Sequence, residues 1–358
     1  MLRKLFAWIR TYERHLSAAA MVAGAVVDQL FFERIDLWET QAVFASYALV
    51  CFVSIPLLHW CEAHERHPRW RMLLPLATQF ALGGFWSGFL VFYGRAAVLS
   101  ASWPFLLFLV LILIGNEYFS RYHERLVFTS VLFFIALYFY AIFAVPVLAG
   151  AMGTATFLLS GVVAIALFAL FTVLLRVLGR ARFRRDVWRV RVGAFAALFI
   201  VNLFYFTNVL PPLPLAAKAA GIYHAVARVP DGYVATSERE PWQVRYFGAA
   251  PTLHVIPGES LYAYSAIFAP TALATTIVHR WQWYDPEKRT WVTKAAIAYP
   301  IEGGRDGGYR GYSATLIPEA GRWRVNIETV GGLVIARLPF MAVQVQLPPP
   351  ETTALLKK

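Results

Sequence analysis

Eight residues in the last third of the chain combine the side-chain types that a polar ligand needs: His279, Trp281, Trp283, Arg305, Tyr309, Arg310, Tyr312 and Trp323. Aromatic planes stack on sugar rings, and the planar guanidinium fork binds a carboxylate or phosphate through two parallel hydrogen bonds. Such a set describes a binding site for a glycan, an envelope polymer or a protein partner. A plainer reading competes with it. In that reading the tryptophans fill a core, and the arginines are solvated or pair with Asp285, Glu302 and Asp306.

A second polar set falls in or beside hydrophobic sequence: Asp28, Arg34, Asp36, Arg95, Asn116 and Glu117. Ionisable groups inside a bilayer are costly and mark substrate or ion paths by default. This set would serve a transporter or an enzyme acting on lipid, provided one continuous polar cavity joins it. Structural pairing is the simpler use. Asp28 lies about four residues from the end of its run and reaches the interface, with Arg34 or Arg95 at the same level. Glu117 has Arg121 four residues on, a plain helical partner.

His59, Cys61, His64, Glu65 and His67 are close together. On a continuing helix, Cys61, His64 and Glu65 share a face at the spacing a metal needs. Pro68 breaks such a helix, however, and no second ligand cluster follows, so no metal is expected. No Walker A loop, CxxCH, HExxH or GxSxG occurs in the chain, and no cofactor is expected. His59 alone lies near a helix core, which argues against a bis-histidine haem.

These groups need elements to position them. The chain has 358 residues, of which 59% are hydrophobic and only 15% charged; soluble domains carry roughly 25% charged residues. About 20 apolar residues cross a hydrocarbon core. Runs of that kind cover approximately 16–32, 40–60, 72–94, 98–116, 126–149, 154–178 and 192–210. Seven transmembrane helices are expected in a region spanning 1–210.

Basic residues orient them. With the N-terminus in the cytoplasm, the inner segments 1–15, 61–71, 117–125 and 176–191 carry sixteen Lys and Arg, and the outer loops only Arg34 and Arg95. That asymmetry follows the positive-inside rule and puts everything after the seventh crossing outside. It also gives the net charge of +12 a membrane explanation. Nucleic acid is not an expected partner, since no basic stripe interleaved with aromatics appears on a soluble element. The run Arg176–Arg191 is read as an inner loop meeting anionic headgroups.

After Pro211-Pro212-Leu213-Pro214 the texture changes to strands separated by turn residues. Ser260–Phe268, Thr275–Tyr284, Trp291–Tyr299, Tyr309–Ile317, Arg322–Thr329 and Leu333–Val345 are β-branched or aromatic runs, and another strand falls within Trp242–Ile256. Alternation places Trp323, Val325 and Ile327 on one face and Arg322, Arg324, Asn326 and Glu328 on the other. It likewise sets His279, Trp281 and Trp283 against Arg280, Gln282 and Tyr284. Short strands without intervening amphipathic helices favour an antiparallel, immunoglobulin-like sandwich. Cys51 and Cys61 are the only cysteines, so no disulfide staples it.

The pattern Gly24, Asp28, Arg34, Asp36, then Phe89–Arg95, Ser102-Trp103-Pro104-Phe105, Asn116-Glu117, Pro146 and Phe157–Ser160 resembles a group of uncharacterised bacterial multi-helix membrane proteins. Their C-terminal domain has no known function. The resemblance continues through His279-Arg280-Trp281, Arg310–Ser313, Gly321–Val325 and Thr329–Gly332, ending at Phe340. It implies a membrane-anchored sandwich of the bacterial envelope and brings no substrate, cofactor or catalytic residue.

The expected architecture is thus an α-helical membrane bundle over 1–210, a linker over 211–222, an all-β sandwich over 223–347 and a tail over 348–358. The expected location is the bacterial inner membrane with the sandwich in the periplasm. The favoured role is non-enzymatic: the sandwich binds a periplasmic protein or glycan while the helices anchor it in the lipid bilayer or join a complex. The alternative is the transporter or lipid-substrate enzyme.

Overall fold

The computed structural model describes residues 32, 34–64, 68–96, 98–118, 126–178, 180–230, 232–238, 250–271, 273–305, 307–347 and 350–356; the side chains of 68–69, 71–72, 99–101, 116–118 and 180–182 are outside that description. Six helices are present among these residues: α1 Trp38–Ala63, α2 Pro68–Ala96, α3 Leu99–Tyr118, α4 Leu126–Ala149, α5 Thr154–Leu178 and α6 Arg180–Phe206. The remaining expected helix, over 16–32, lies outside the described residues except for Phe32. Five helices are long and apolar enough to cross a membrane, and α3 contributes a shorter apolar stretch over Ser102–Gly115.

One expected loop is helical. The arginine-rich stretch from Arg180 to Arg191 forms the first half of α6, because arginine is a good helix former and nothing in that stretch breaks the backbone ladder. Helix ends are set locally. Gly150 closes α4 at φ +61°, the left-handed conformation that glycine adopts without a Cβ penalty. Asn208 does the same after α6 at φ +56°, where the amides of Val209 and Leu210 both return to the Phe204 carbonyl.

The helices pack through rings. Phe44 of α1 is fully buried, with its ring 5.4 Å from Phe89 of α2 and 5.8 and 5.2 Å from Tyr140 and Phe143 of α4. Close approach there depends on Gly88, where a Cβ would lie 2.5 Å from the Phe44 ring. Helix α4 is apolar on all sides and largely buried. By contrast α5 and α6 leave Leu158, Val162, Leu170, Phe195 and Phe199 exposed.

Contacts divide the chain into two units, the second holding Pro214–Lys358 along with the short stretches Ala96–Ala101 and Gly150–Met152, and the main boundary lies between Leu213 and Pro214. Eleven strands are described beyond that point: β1 Ala216–Tyr223, β2 Ala225–Val229, β3 Gly232–Glu238, β4 Thr252–Val255, β5 Ser260–Phe268, β6 Ala274–Asp285, β7 Thr290–Glu302, β8 Tyr309–Leu316, β9 Gly321–Thr329, β10 Val334–Gln344 and β11 Glu351–Leu356. They form three sheets, ordered β4-β10-β9-β6-β7, β1-β5-β8 and β11-β3-β2. Every described pairing is antiparallel except β4 with β10.

The sheets stack in three layers. Trp281, Trp323, Val325 and Phe340 of the five-stranded sheet share one core with Leu261 and Ala263 of β5. Tyr264 and Ala266, on the opposite side of β5, pack with Val226 and Ala235 of the third sheet. Strand β5 is therefore covered on both faces, which is why its alternation is muted: only Ser260 and Tyr262 of its nine residues escape full burial. Strand β11 falls in the stretch read as a tail and pairs with β3, and β1 begins within the stretch read as a linker.

Candidate functional site

The expected binding residues do not form one surface. His279 and Trp281 point from β6 into the space between the five-stranded sheet and the β1-β5-β8 sheet, and both are fully buried. Trp323 is buried beside them, its ring 6.3 Å from Phe340 and its indole N–H donating to the Glu319 carbonyl at 2.8 Å. Trp283 is half-buried at the border of that core, donating to the Ala320 carbonyl and lying 5.0 Å beneath the Lys294 ammonium. These four rings hold strands together.

His279 is the centre of a buried polar cluster. Its Nδ1 is 2.9 Å from Ser313 Oγ, and its Nε2 is 2.9 Å from Ser265 Oγ and 3.1 Å from the Tyr299 hydroxyl. The Trp281 N–H donates to Ser313 Oγ at 3.0 Å, and Tyr299 and Ser265 are 2.6 Å apart. Burial pushes the His279 imidazole down to about 4, so it is neutral at physiological pH. A serine beside a histidine suggests nucleophilic chemistry, but a nucleophile must reach a substrate. Ser265 and Ser313 are both buried, and both ring nitrogens of His279 are engaged. The arrangement bridges two sheets.

The remaining members gather on β8 and the turn before it. The Arg305 guanidinium lies 5.0 Å over the Tyr309 ring. Tyr312 is 42% exposed, with its ring 6.1 Å from both Tyr233 and Tyr262. Arg310, two residues away and on the same side of the strand, comes close to Gly232, where an added Cβ would lie 3.4 Å from its Nη1. Strand β8 is last in the hydrogen-bonded order of its sheet. Arg305 and Tyr312 are the exposed members of the expected set; Tyr309 packs against the core around Ile267, and Arg310 is half-buried.

In the helical part, Arg34 and Asp36 bind each other through two contacts of 3.0 and 2.6 Å, and Arg95 donates from Nη1 to the Phe32 carbonyl. Asp28 lies outside the described residues, as do the side chains of Asn116 and Glu117. At the cysteine and histidine cluster, His59 Nδ1 is 3.1 Å from Glu62 and His64 Nδ1 faces the Trp60 carbonyl; Glu65 and His67 lie outside the description. Among the described residues no group of three or more His, Cys, Asp or Glu side chains is placed to hold a metal ion.

Two assemblies were not anticipated from sequence. Glu238, at the end of β3, accepts from the His254 amide at 2.6 Å and sits 2.8 Å from His254 Nδ1 and 2.9 Å from His224 Nε2. Burial pushes its carboxyl up, but the hydrogen bonds from His254 and His224 outweigh burial and hold it below the usual range. The second is a row of polar side chains on the face of the five-stranded sheet turned away from the core: Arg280, Gln282, Arg324, Asn326, Glu328 and Arg337. Alternation assigns most of them to a non-core face, but only the adjacency of β6 and β9 brings them together.

No curated protein matches the chain. Among solved structures it is aligned with the Pseudomonas fluorescens alkylpurine DNA glycosylase AlkC bound to DNA containing an abasic site analog. That alignment has 9% identity, covers 86% of this chain and 99% of that one, and has a TM-score of 0.20; a likeness that low carries no argument about fold or activity. Residues 274–341, from the start of β6 into β10, match the family described as protein of unknown function DUF2914.

Proposed function

We propose that the chain is an integral membrane protein whose β region lies outside the cytoplasm and binds a protein partner or an envelope polymer. Five long apolar helices support the anchoring, together with the leucine, valine and phenylalanine side chains that α5 and α6 leave exposed; hydrocarbon satisfies such surfaces and water does not. The sixteen-to-two distribution of basic residues supports seven crossings with the N-terminus inside. In a bacterium with two membranes this is an inner-membrane protein with a periplasmic β region. The two-layer core between the β1-β5-β8 and five-stranded sheets supports an immunoglobulin-like sandwich as its nucleus.

One observation carries the binding role. The serine–histidine cluster is sealed in the core, whereas Arg305 and Tyr312 are exposed on an edge strand and the turn before it, an amphipathic ring and a cation of the kind that binding surfaces favour. The test has two parts. Alkaline phosphatase joined after Lys358 should be active; an inactive fusion overturns the topology. Full-length protein in neutral detergent should sediment with isolated envelope polymer or retain a defined native partner, and Arg305→Ala/Tyr312→Ala should lose that association while melting at the wild-type temperature. Equal association of the variant overturns the β8 edge as the binding surface.

A further inference from the structure

Three guanidiniums stand on the outward face of the five-stranded sheet around one carboxylate. Arg280 of β6 donates from Nε to Glu328 at 2.5 Å. Arg324 of β9 donates from Nε to Gln282 at 2.8 Å, and Arg337 of β10 from Nε to Asn326 at 2.8 Å. Asn326 completes the row by donating to the same Gln282 oxygen at 3.4 Å. Register explains the gathering: Arg280 is opposite Asn326, Asn326 opposite Arg337, and Gln282 opposite Arg324.

The row is held rigidly. Asn326 and Glu328 are buried, at 5% and 4% exposure, although they occupy the face away from the apolar core. The Arg324 guanidinium lies 4.1 Å over the Trp291 ring, which fixes its plane. The contacts to Gln282, Asn326 and Glu328 all use Nε. Among the described residues, the terminal nitrogens of Arg280 and Arg324 make no hydrogen bond, so two forks are presented outward with their stems already fixed. Preorganised forks of this kind match a tetrahedral or planar oxyanion with little entropy lost on binding.

Charge completes the picture. Arg280, Arg324 and Arg337 are gathered about the Glu328 carboxylate within one row. Burial, and then the neighbouring charge of Arg337, push Arg324 down to about 10, and burial lowers Arg337 as well. Arg324 and Arg337 repel each other, and an incoming anion relieves that repulsion.

We propose that Arg280, Arg324 and Arg337 form an anion-binding site for a phosphate group on the outer face of the five-stranded sheet. A phosphate monoester carries about −1.5 to −2 at neutral pH and three acceptor oxygens, enough to engage the forks of Arg280 and Arg324 together. A single carboxylate offers one charge and two oxygens. The site is separate from the β8 edge and does not depend on the role proposed for it.

Free phosphate and the monoester headgroup of phosphatidic acid supply the same chemistry. Full-length protein in neutral detergent would be titrated calorimetrically with inorganic phosphate and separately with dihexanoylphosphatidic acid, at constant ionic strength with chloride as the blank. Saturable binding of phosphate supports a soluble ligand, and binding of the lipid alone supports a headgroup. In either case Arg324→Gln/Arg337→Gln should weaken it at least tenfold, and Arg324→Lys should fall between. The Gln variants lose the hydrogen bonds to Gln282 and Asn326 and melt below the wild type, so binding is compared at a temperature at which all are folded. Should the double variant fail to fold, saturable wild-type binding that chloride does not reproduce, and that Arg324→Lys weakens, decides in favour. No binding of either probe, or binding unaffected by the substitutions, overturns the site.

Discussion

His279 Nδ1 lies 2.9 Å from Ser313 Oγ, and this contact joins strands β6 and β8, which belong to different sheets. Ser313 is also the acceptor for the Trp281 N–H at 3.0 Å. Replacing it with alanine strips a partner from two buried groups at once. Each orphaned group costs about 1–3 kcal/mol, so Ser313→Ala should destabilise the β region by about 2–4 kcal/mol in urea unfolding monitored by near-UV circular dichroism. A double-mutant cycle with His279→Gln should show strong coupling; additive losses would mean that the bridge contributes little.

The same histidine gives the β region a pH dependence. Burial holds His279 down to about 4, from 6.5. The unfolded chain therefore binds a proton before the folded one does as pH falls. Its contribution is fully present above about 6.5, declines between 6.5 and about 4, and is on the order of 3 kcal/mol across that window. Glu238, held low by its histidine hydrogen bonds, adds loss in the same direction, starting as pH falls below the unfolded carboxyl's value and complete once its folded value is crossed. Melting temperature recorded from pH 8 to 4 should fall through the first window for the wild type and flatten there for His279→Gln.

Gly303 is a point of close approach. A Cβ there would lie 1.6 Å from the Pro270 carbonyl oxygen, because the Gly303 and Gly304 amides bond back to Leu273 and Ala269. Gly303→Ala should cost more than about 3 kcal/mol by forcing the turn off its neighbour. Gly94→Ala, on α2 with nothing within 4 Å, should be neutral or stabilising by up to about 1 kcal/mol. Thermal denaturation of the two variants in one detergent checks the contrast.

Among the helices, Gly88 gives the matching test. Its Cα faces the Phe44 ring, and a Cβ would come within 2.5 Å of it. Gly88→Val should separate α1 from α2 and lower the melting temperature by several degrees, with Phe44→Leu partly restoring it through the space it frees. Unchanged melting of Gly88→Val would remove this ring cluster as a determinant of helix packing.

Much of this fold is readable from local pattern. The run Leu126–Ala149 is apolar throughout, and its helix has those limits; Ser260–Phe268 is bounded by turn residues and forms β5 over the same span. Strands β1 to β3 are harder because Ala216–Glu238 is rich in alanine and only half-buried, so neither apolar alternation nor β-branched residues mark each strand. The site was less legible, for a different reason. Alternation separates His279 and Trp281 from Arg280 and Gln282, but does not say which face is the core. That answer comes from β5 and β8, whose Ser265 and Ser313 meet His279 across the sheets. The arginine row likewise depends on β6 lying between β7 and β9, a long-range order that no local window contains.

The partner of β3 arrives late. Hydroxyls of Thr236 and Thr353 are 3.2 Å apart yet separated by 117 positions. During synthesis the β2-β3 hairpin forms as soon as it emerges, whereas the strand that completes its sheet is made only after the other two sheets have their full complement. Such distant contacts slow the search for the native topology, and the waiting edge of β3 is a template for any extended segment nearby. Two chains made close together can therefore exchange β11 before either has finished folding, so crowding during expression would favour interlinked dimers over monomers.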